Sequence, residues 1–329
     1  MKRIILLLTL FIPTTLIFAD DANLGSQGGN VFPVMRNKYI RMAKEDVKVK
    51  MLKDSCIVTC LFWFKNYSNQ KQFVFMGFPD YFENIGEASE RLRNFTCQIN
   101  NKKTEVRPLS QKITEESDTT EVNYERWYCW DANFKPNETL LIRNTYAANW
   151  GGVNDGKLLI SYLIGTGRTW HETIGDGKIT FDFSDLVSRN FVDTTGYGDR
   201  SLSPGMTRQI YNDSIVYSFK NYYPDWGEQY SVSLLPFWEC HAYNDSVSMN
   251  PYRDGRGEFS FEYKYTKPTL RLMRNEVYAR HGYIFKDEAL NTYFRKFKWY
   301  KPNPKFEMNQ LNKFELYFID YIKGLEEKK

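Results

Sequence analysis

The chain has 329 residues, of which 24 Phe, 23 Tyr and 8 Trp make 17% aromatic, against 26% charged residues. That balance excludes a disordered or collagen-like polymer and leaves enough apolar mass for one large domain or two. The formal charge is +4, and loss of Lys2 and Arg3 with the first nineteen residues would leave 42 basic against 40 acidic residues, or +2. This is too little to hold a nucleic acid by its phosphates.

The N-terminus places Lys2 and Arg3 before a mostly apolar run from Ile4 to Phe18, followed by Ala19 and then Asp20 and Asp21. A positive start, a short apolar segment and a small residue at the cut predict a secretory signal peptide over 1–19. The run is shorter than the roughly 18–20 apolar residues that span a bilayer. No Cys follows it closely, so a lipid anchor is not expected, and no later stretch reads as a transmembrane segment. The expected location is extracytoplasmic, either periplasmic or secreted. Of the five cysteines, Cys56 and Cys60 fall on one strand face roughly 13 Å apart, too far to join. Cys97 with Cys129 is the disulfide candidate, and Cys240 remains. With His171, His241 and His281 scattered, no metal site and no cofactor are expected.

In chain order, Val47, Val49 and Met51 alternate with Lys48 and Lys50, the period of a strand with one wet face. Residues 56–64 are apolar on both faces and predict a central strand covered twice. Residues 86–94 read as a short helix. Asn100 and Asn101 predict a hairpin between 95–99 and 104–106, because Asn tolerates positive φ. Residues 109–121 are polar and read as a loop. Further strands are expected at 124–134, 139–147, 157–164, 178–183, 209–217 and 230–235, punctuated by turns that include 165–167 and 175–177. Many short strands at this spacing predict an antiparallel β-sandwich over 20–250.

The period then changes. Residues 251–265 read as a linker or final strand, and 266–329 as a small helical module. Thr269 is the expected N-cap of a first helix carrying Leu270, Met273 and Val277, ended by Gly282. Asp287 caps a second, and a third spans 308–326 with Leu311, Phe314, Phe318, Ile322 and Leu325 as its stripe. Pro302 and Pro304 keep the preceding segment from being helical. The fold class expected is therefore β plus α in two domains, a sandwich followed by a helical module.

Tyr278, Ala279, Arg280, His281 and Gly282 spell YARHG, with Leu270, Arg271, Arg274, Asn275 and Glu276 before them and Tyr283, Ile284, Phe285, Trp299, Tyr300 and Pro302 after. Over 266–326 the chain resembles the YARHG domain. The resemblance implies an extracytoplasmic bacterial module appended to varied envelope proteins, without established catalytic residues, for which envelope binding is the expectation by association. Glu45 to Val49, Phe64, Lys65 and Asn66 with Gly77 to Pro79, and Tyr162 to Trp170 with Gly165 to Gly167 resemble, more weakly, a family of exported bacterial β domains of unknown function.

Two readings of the motif compete. In one, Tyr278, Arg280, His281, Trp299 and Tyr300 form a binding face for an envelope component or protein partner, the aromatics stacking on sugar rings. In the other, Arg280 and His281 are a helix-end and packing device and the aromatics are core. The expected function is that of a non-enzymatic exported envelope protein. The alternative is a cell-wall-polymer hydrolase using acids or His171 in the sandwich loops. Cys240 and His241 are adjacent on a strand and face opposite ways, which opposes a catalytic dyad.

Overall fold

The computed structural model describes residues 28–29, 32–33, 37–52, 55–80, 82–83, 92–116, 121–149, 151–152, 158–193, 202–225, 228–234, 266–311 and 313–329. The expected signal peptide, the 86–91 part of the expected helix, the 251–265 linker, Cys240 and His241 lie outside them. The longer strands are β1 (Ile40–Met51), β2 (Ser55–Asn66), β3 (Gln72–Pro79), β4 (Arg93–Ile99), β5 (Lys102–Thr104), β6 (Arg107–Glu116) and β7 (Glu121–Phe134). They continue with β8 (Thr139–Asn149), β9 (Leu158–Leu163), β10 (Ile174–Asp182), β11 (Met206–Ile210), β12 (Ser214–Tyr222) and β13 (Gln229–Leu234). Three α-helices follow: α1 (Lys267–Arg280), α2 (Glu288–Phe294) and α3 (Lys313–Glu327).

An eight-stranded sheet in the order β11-β12-β10-β1-β2-β8-β4-β5 forms the floor. Its pairings are antiparallel except where β10 lies parallel to β1, Ile179 opposite Val47. A second sheet pairs β7 with β3 and β6, and a third pairs β9 with β13. The second sheet closes on the floor through aromatics: the Phe78 ring lies 5.1 Å from Phe95 and 5.2 Å from Tyr146. The third closes on it through Tyr230, 4.6 Å from Tyr217. Facing sheets joined by interdigitated inner side chains are the sandwich that the alternation predicts.

The hairpin at Asn100 and Asn101 forms with φ of 49° and 65°, the double positive φ of a tight turn between twisted strands. Several expectations change. Strand β2 is central, but only one of its faces is covered: Cys56, Val58, Cys60, Phe62 and Phe64 are buried while Ile57 is 41% exposed. The outer Trp63 is met by the Lys44 ammonium at 4.7 Å, so a lysine stem rather than a second layer shields it. Polar residues expected as loop form β6, because the long β7 supplies a backbone ladder whatever the side chains. Gly175 and Gly177 sit inside β10, not in a turn. A Cβ at Gly175 would stand 2.1 Å from the Ala43 carbonyl oxygen, and one at Gly177 1.9 Å from the Phe219 ring; close approach, not reversal, requires glycine there. The expected strand 209–217 is two strands, reversed where Tyr211 N–H donates to the Ser214 carbonyl at 2.8 Å. Arg93 and Asn94, at the end of the expected helix, open β4.

The disulfide candidate is also corrected. Cys97 and Cys129 are free, buried thiols on strands of different sheets. Cys97 lies opposite Asn144 and Thr104, Cys129 opposite Gly77 and Arg107. Burial pushes the Cys97 thiol up to about 12 and that of Cys129 to about 11, which keeps both protonated and unreactive.

In the helical segment the first cap is Thr266 instead of Thr269. Its hydroxyl accepts from the Thr269 N–H, and Pro268 occupies the first turn, where a missing donor costs nothing. Asp287 caps α2 as expected, accepting from Ala289 and Leu290. The third helix is shorter at its start: Met308–Gln310 is a separate 3₁₀ turn, and extended Leu311 turns its side chain into the core before α3. Leu270, Met273 and Val277 of α1 and Phe318, Ile322 and Leu325 of α3 belong to the same buried cluster as the sheet residues.

Candidate functional site

The YARHG residues close α1. Gly282 adopts φ +81°, its N–H donates to the Ala279 carbonyl at 2.9 Å, and that of Tyr283 reaches back to Tyr278 at 3.1 Å. This is the Schellman ending, for which glycine is the natural residue. A Cβ at Gly282 would lie 2.3 Å from the Lys301 carbonyl oxygen, so the glycine also admits the returning chain, whose Asn303 N–H donates to the Gly282 carbonyl at 2.7 Å.

Arg280 stands one turn after Glu276, and its Nη2 lies 2.6 Å from Glu276 Oε1. The Glu276 carboxylate is fully buried and accepts from the Ser188 backbone N–H at 3.2 Å and from the Ser188 hydroxyl. The guanidinium lies over the Trp299 ring at 4.4 Å. Burial lowers its pKa from the ordinary arginine value, and the Glu276 carboxylate works against that pull. On the next residue, His281 Nε2 is 2.7 Å from the buried Glu315 Oε1 on α3. Two motif side chains thus hold two buried carboxylates, one facing the sandwich and one inside the helical segment. A third pair, Arg274 with Glu326 at 2.6 and 3.1 Å, ties α1 to the end of α3.

The aromatic members sit in the same interior. Tyr300 is buried and its hydroxyl donates to the Tyr283 carbonyl at 2.9 Å. Trp299 stacks on Phe297 at 5.2 Å and lies 6.0 Å from Phe294. Tyr278 is half-buried, 5.9 Å from Tyr283. The structure brings Arg280 and Trp299 into contact, turns His281 toward α3 and places Tyr300 in the small core with Phe285, Leu290 and Phe294. The sequence reading missed Ser188, Glu276 and Glu315 as partners. Glu276 carried one signal, its position four residues before Arg280 on a helix. Ser188 carried none.

At the sandwich loops, His171 Nε2 lies 3.5 Å from Glu172 Oε1, and Glu172 takes φ 56°. The His171 backbone N–H donates to Ile40 at 3.0 Å. Gly165–Thr169 is a buried 3₁₀ turn, and the N–H groups of Ile164 and Gly165 both donate to the Glu228 carbonyl. Those donors are therefore used internally and not presented to a phosphate. Glu228 in turn accepts from Tyr222 at 2.6 Å and Tyr230 at 2.5 Å.

No curated protein matches the chain in sequence. Among solved structures, a candidate nutrient binding protein from Legionella pneumophila aligns at TM-score 0.60 and 20% identity, over 92% of this chain and 98% of that one. This establishes a shared fold. Yeast LTA4 hydrolase in complex with bestatin aligns at TM-score 0.32 and 9% identity, over 61% of this chain and 29% of that one. An M1 zinc metallopeptidase from Deinococcus radiodurans aligns at 0.28 and 9%, over 62% and 44%. Neither carries an argument for this chain. The helical segment, with the stretch that leads into it, is identified through its own sequence: residues 256–327 match the YARHG domain.

Proposed function

We propose that the chain is an exported, non-enzymatic bacterial envelope protein in which a β body (20–250) carries a YARHG module (266–329) that docks to an envelope component or protein partner. The observation that carries this reading is the YARHG match over 256–327. The N-terminal export pattern and the fold shared with a candidate nutrient binding protein support it. Among the described residues no helix is long and apolar enough to cross a membrane.

Within this reading Tyr278, Arg280, His281, Trp299 and Tyr300 serve binding by fixing the shape of the module. The Arg280 guanidinium, the His281 ring and the Tyr300 hydroxyl are engaged by Glu276, Glu315 and the Tyr283 carbonyl, and the docking surface is built from exposed neighbours such as Ile284 and Met308. The test is co-sedimentation of the mature chain with purified cell wall. Retention is expected, and Ile284→Asp with Met308→Asp reduces it while the folded state persists. Passage of the wild-type chain into the supernatant overturns the docking assignment. Release of muropeptides that disappears in His171→Ala with Glu172→Ala would replace it with the hydrolase alternative.

A further inference from the structure

The outer face of the eight-stranded sheet carries a groove of about 480 Å³ over strands β11, β12, β10 and β1, within the roughly 300–1,000 Å³ range of small-molecule sites. Charged and hydroxyl-bearing residues line it together with Gly177, Gly205 and Phe219, and apolar atoms supply most of its exposed wall. In one cross-strand row Lys220 lies opposite Asp176, and Asp176 opposite Lys44. In the next, Thr207 lies opposite Ser218, Ser218 opposite Lys178, and Lys178 opposite Asp46.

The two rows dispose of their charges differently. Lys178 pairs with Asp46 at 3.0 Å, and the Thr207 hydroxyl donates to the Ser218 carbonyl at 3.0 Å, so the second row is internally satisfied. In the first row the Lys44 ammonium is drawn onto the Trp63 ring at 4.7 Å. Among the described residues neither Asp176 nor Lys220 has an ion-pair partner, although each neighbours an opposite charge across the ladder. An unpaired carboxylate and an unpaired ammonium therefore stand side by side in a concave site, on strands about 4.8 Å apart.

We propose that this groove binds a small zwitterion of amino-acid or dipeptide size, its ammonium on Asp176 and its carboxylate on Lys220. One or two residues separate the two termini of such a ligand by roughly 3.5–7 Å, which spans neighbouring strands. Gly205, with φ +91°, and the hydroxyl-bearing Thr207 and Ser218 wall the groove where the ligand backbone lies. The site lies on the β body and is independent of docking by the YARHG module.

Isothermal titration of the full mature chain with alanyl-alanine, N-acetyl-alanyl-alanine and alanyl-alaninamide tests it. An exposed charge pair changes affinity by up to about fivefold, so the dipeptide should bind about two- to fivefold more tightly than either analogue. Asp176→Asn should erase the preference over the acetylated peptide, and Lys220→Ala the preference over the amide. Both positions are exposed, so circular dichroism should show unchanged folding. Absence of saturable binding of the dipeptide at millimolar concentration, equal affinity for all three peptides, or binding indifferent to both substitutions overturns the assignment.

Discussion

The helical module and the sandwich's outer face both pair opposite charges, yet in opposite surroundings. In the module, Glu276 is fully buried and Arg280 is 14% exposed, and each offsets the other's desolvation. On the outer face, Lys178 and Asp46 close to 3.0 Å with the lysine 49% exposed, and water stands ready to replace either partner. The contrast teaches where a charge pair specifies structure. A buried pair costs desolvation, so it persists only where geometry satisfies both members, and losing one member exposes the full penalty. An exposed pair is nearly neutral.

The largest expected effect follows from breaking the buried pair. Glu276→Ala leaves Arg280 buried without its carboxylate and removes the acceptor of Ser188, and should destabilise the chain by about 3–5 kcal/mol in urea titration. Glu276→Leu combined with Arg280→Met, which removes both charges, should recover most of that loss; equal destabilisation would show that packing, not charge, holds the joint. Next comes Gly282→Ala, expected to cost about 1–3 kcal/mol because φ +81° and the Lys301 carbonyl both oppose a Cβ. A smaller loss, about 0.5–2 kcal/mol, is expected for Thr266→Ala at the cap of α1, read as a drop in melting temperature. The smallest should be Lys178→Ala, below about 1 kcal/mol and vanishing in high salt. A cost for Lys178→Ala that matched Glu276→Ala would erase the distinction between the two regions.

Much of the local structure was legible in the residues themselves. Alternation in β1, the two asparagines at the hairpin, Asp287 at a cap and Gly282 at a helix end each act within a few residues, so their physics is contained in the local string. The five-residue motif was equally legible as a family mark. Its role was not, because Arg280 and His281 acquire meaning from Ser188, 88 residues before Glu276, and from Glu315 on another helix. The same gap explains the misread faces. The apolar outer residues of β2 looked like a second buried face because shielding by Lys44 from a neighbouring strand depends on register. Gly175 and Gly177 looked like turn residues because the Ala43 carbonyl and the Phe219 ring that crowd them arrive from other strands.

By itself, the sequence determined the order of the two architectures, the Asn100 and Asn101 hairpin, the Asp287 cap, the Gly282 helix end and the YARHG mark, all set by periodicity or by short-range backbone chemistry. Tertiary structure decided which charges are buried and which face water. It also decided that Cys97 and Cys129 lie apart as free thiols, and that the helices share one apolar cluster with the sheets. Those outcomes depend on what each side chain meets across strands and between layers, and pairing over such distances is a property of the folded chain.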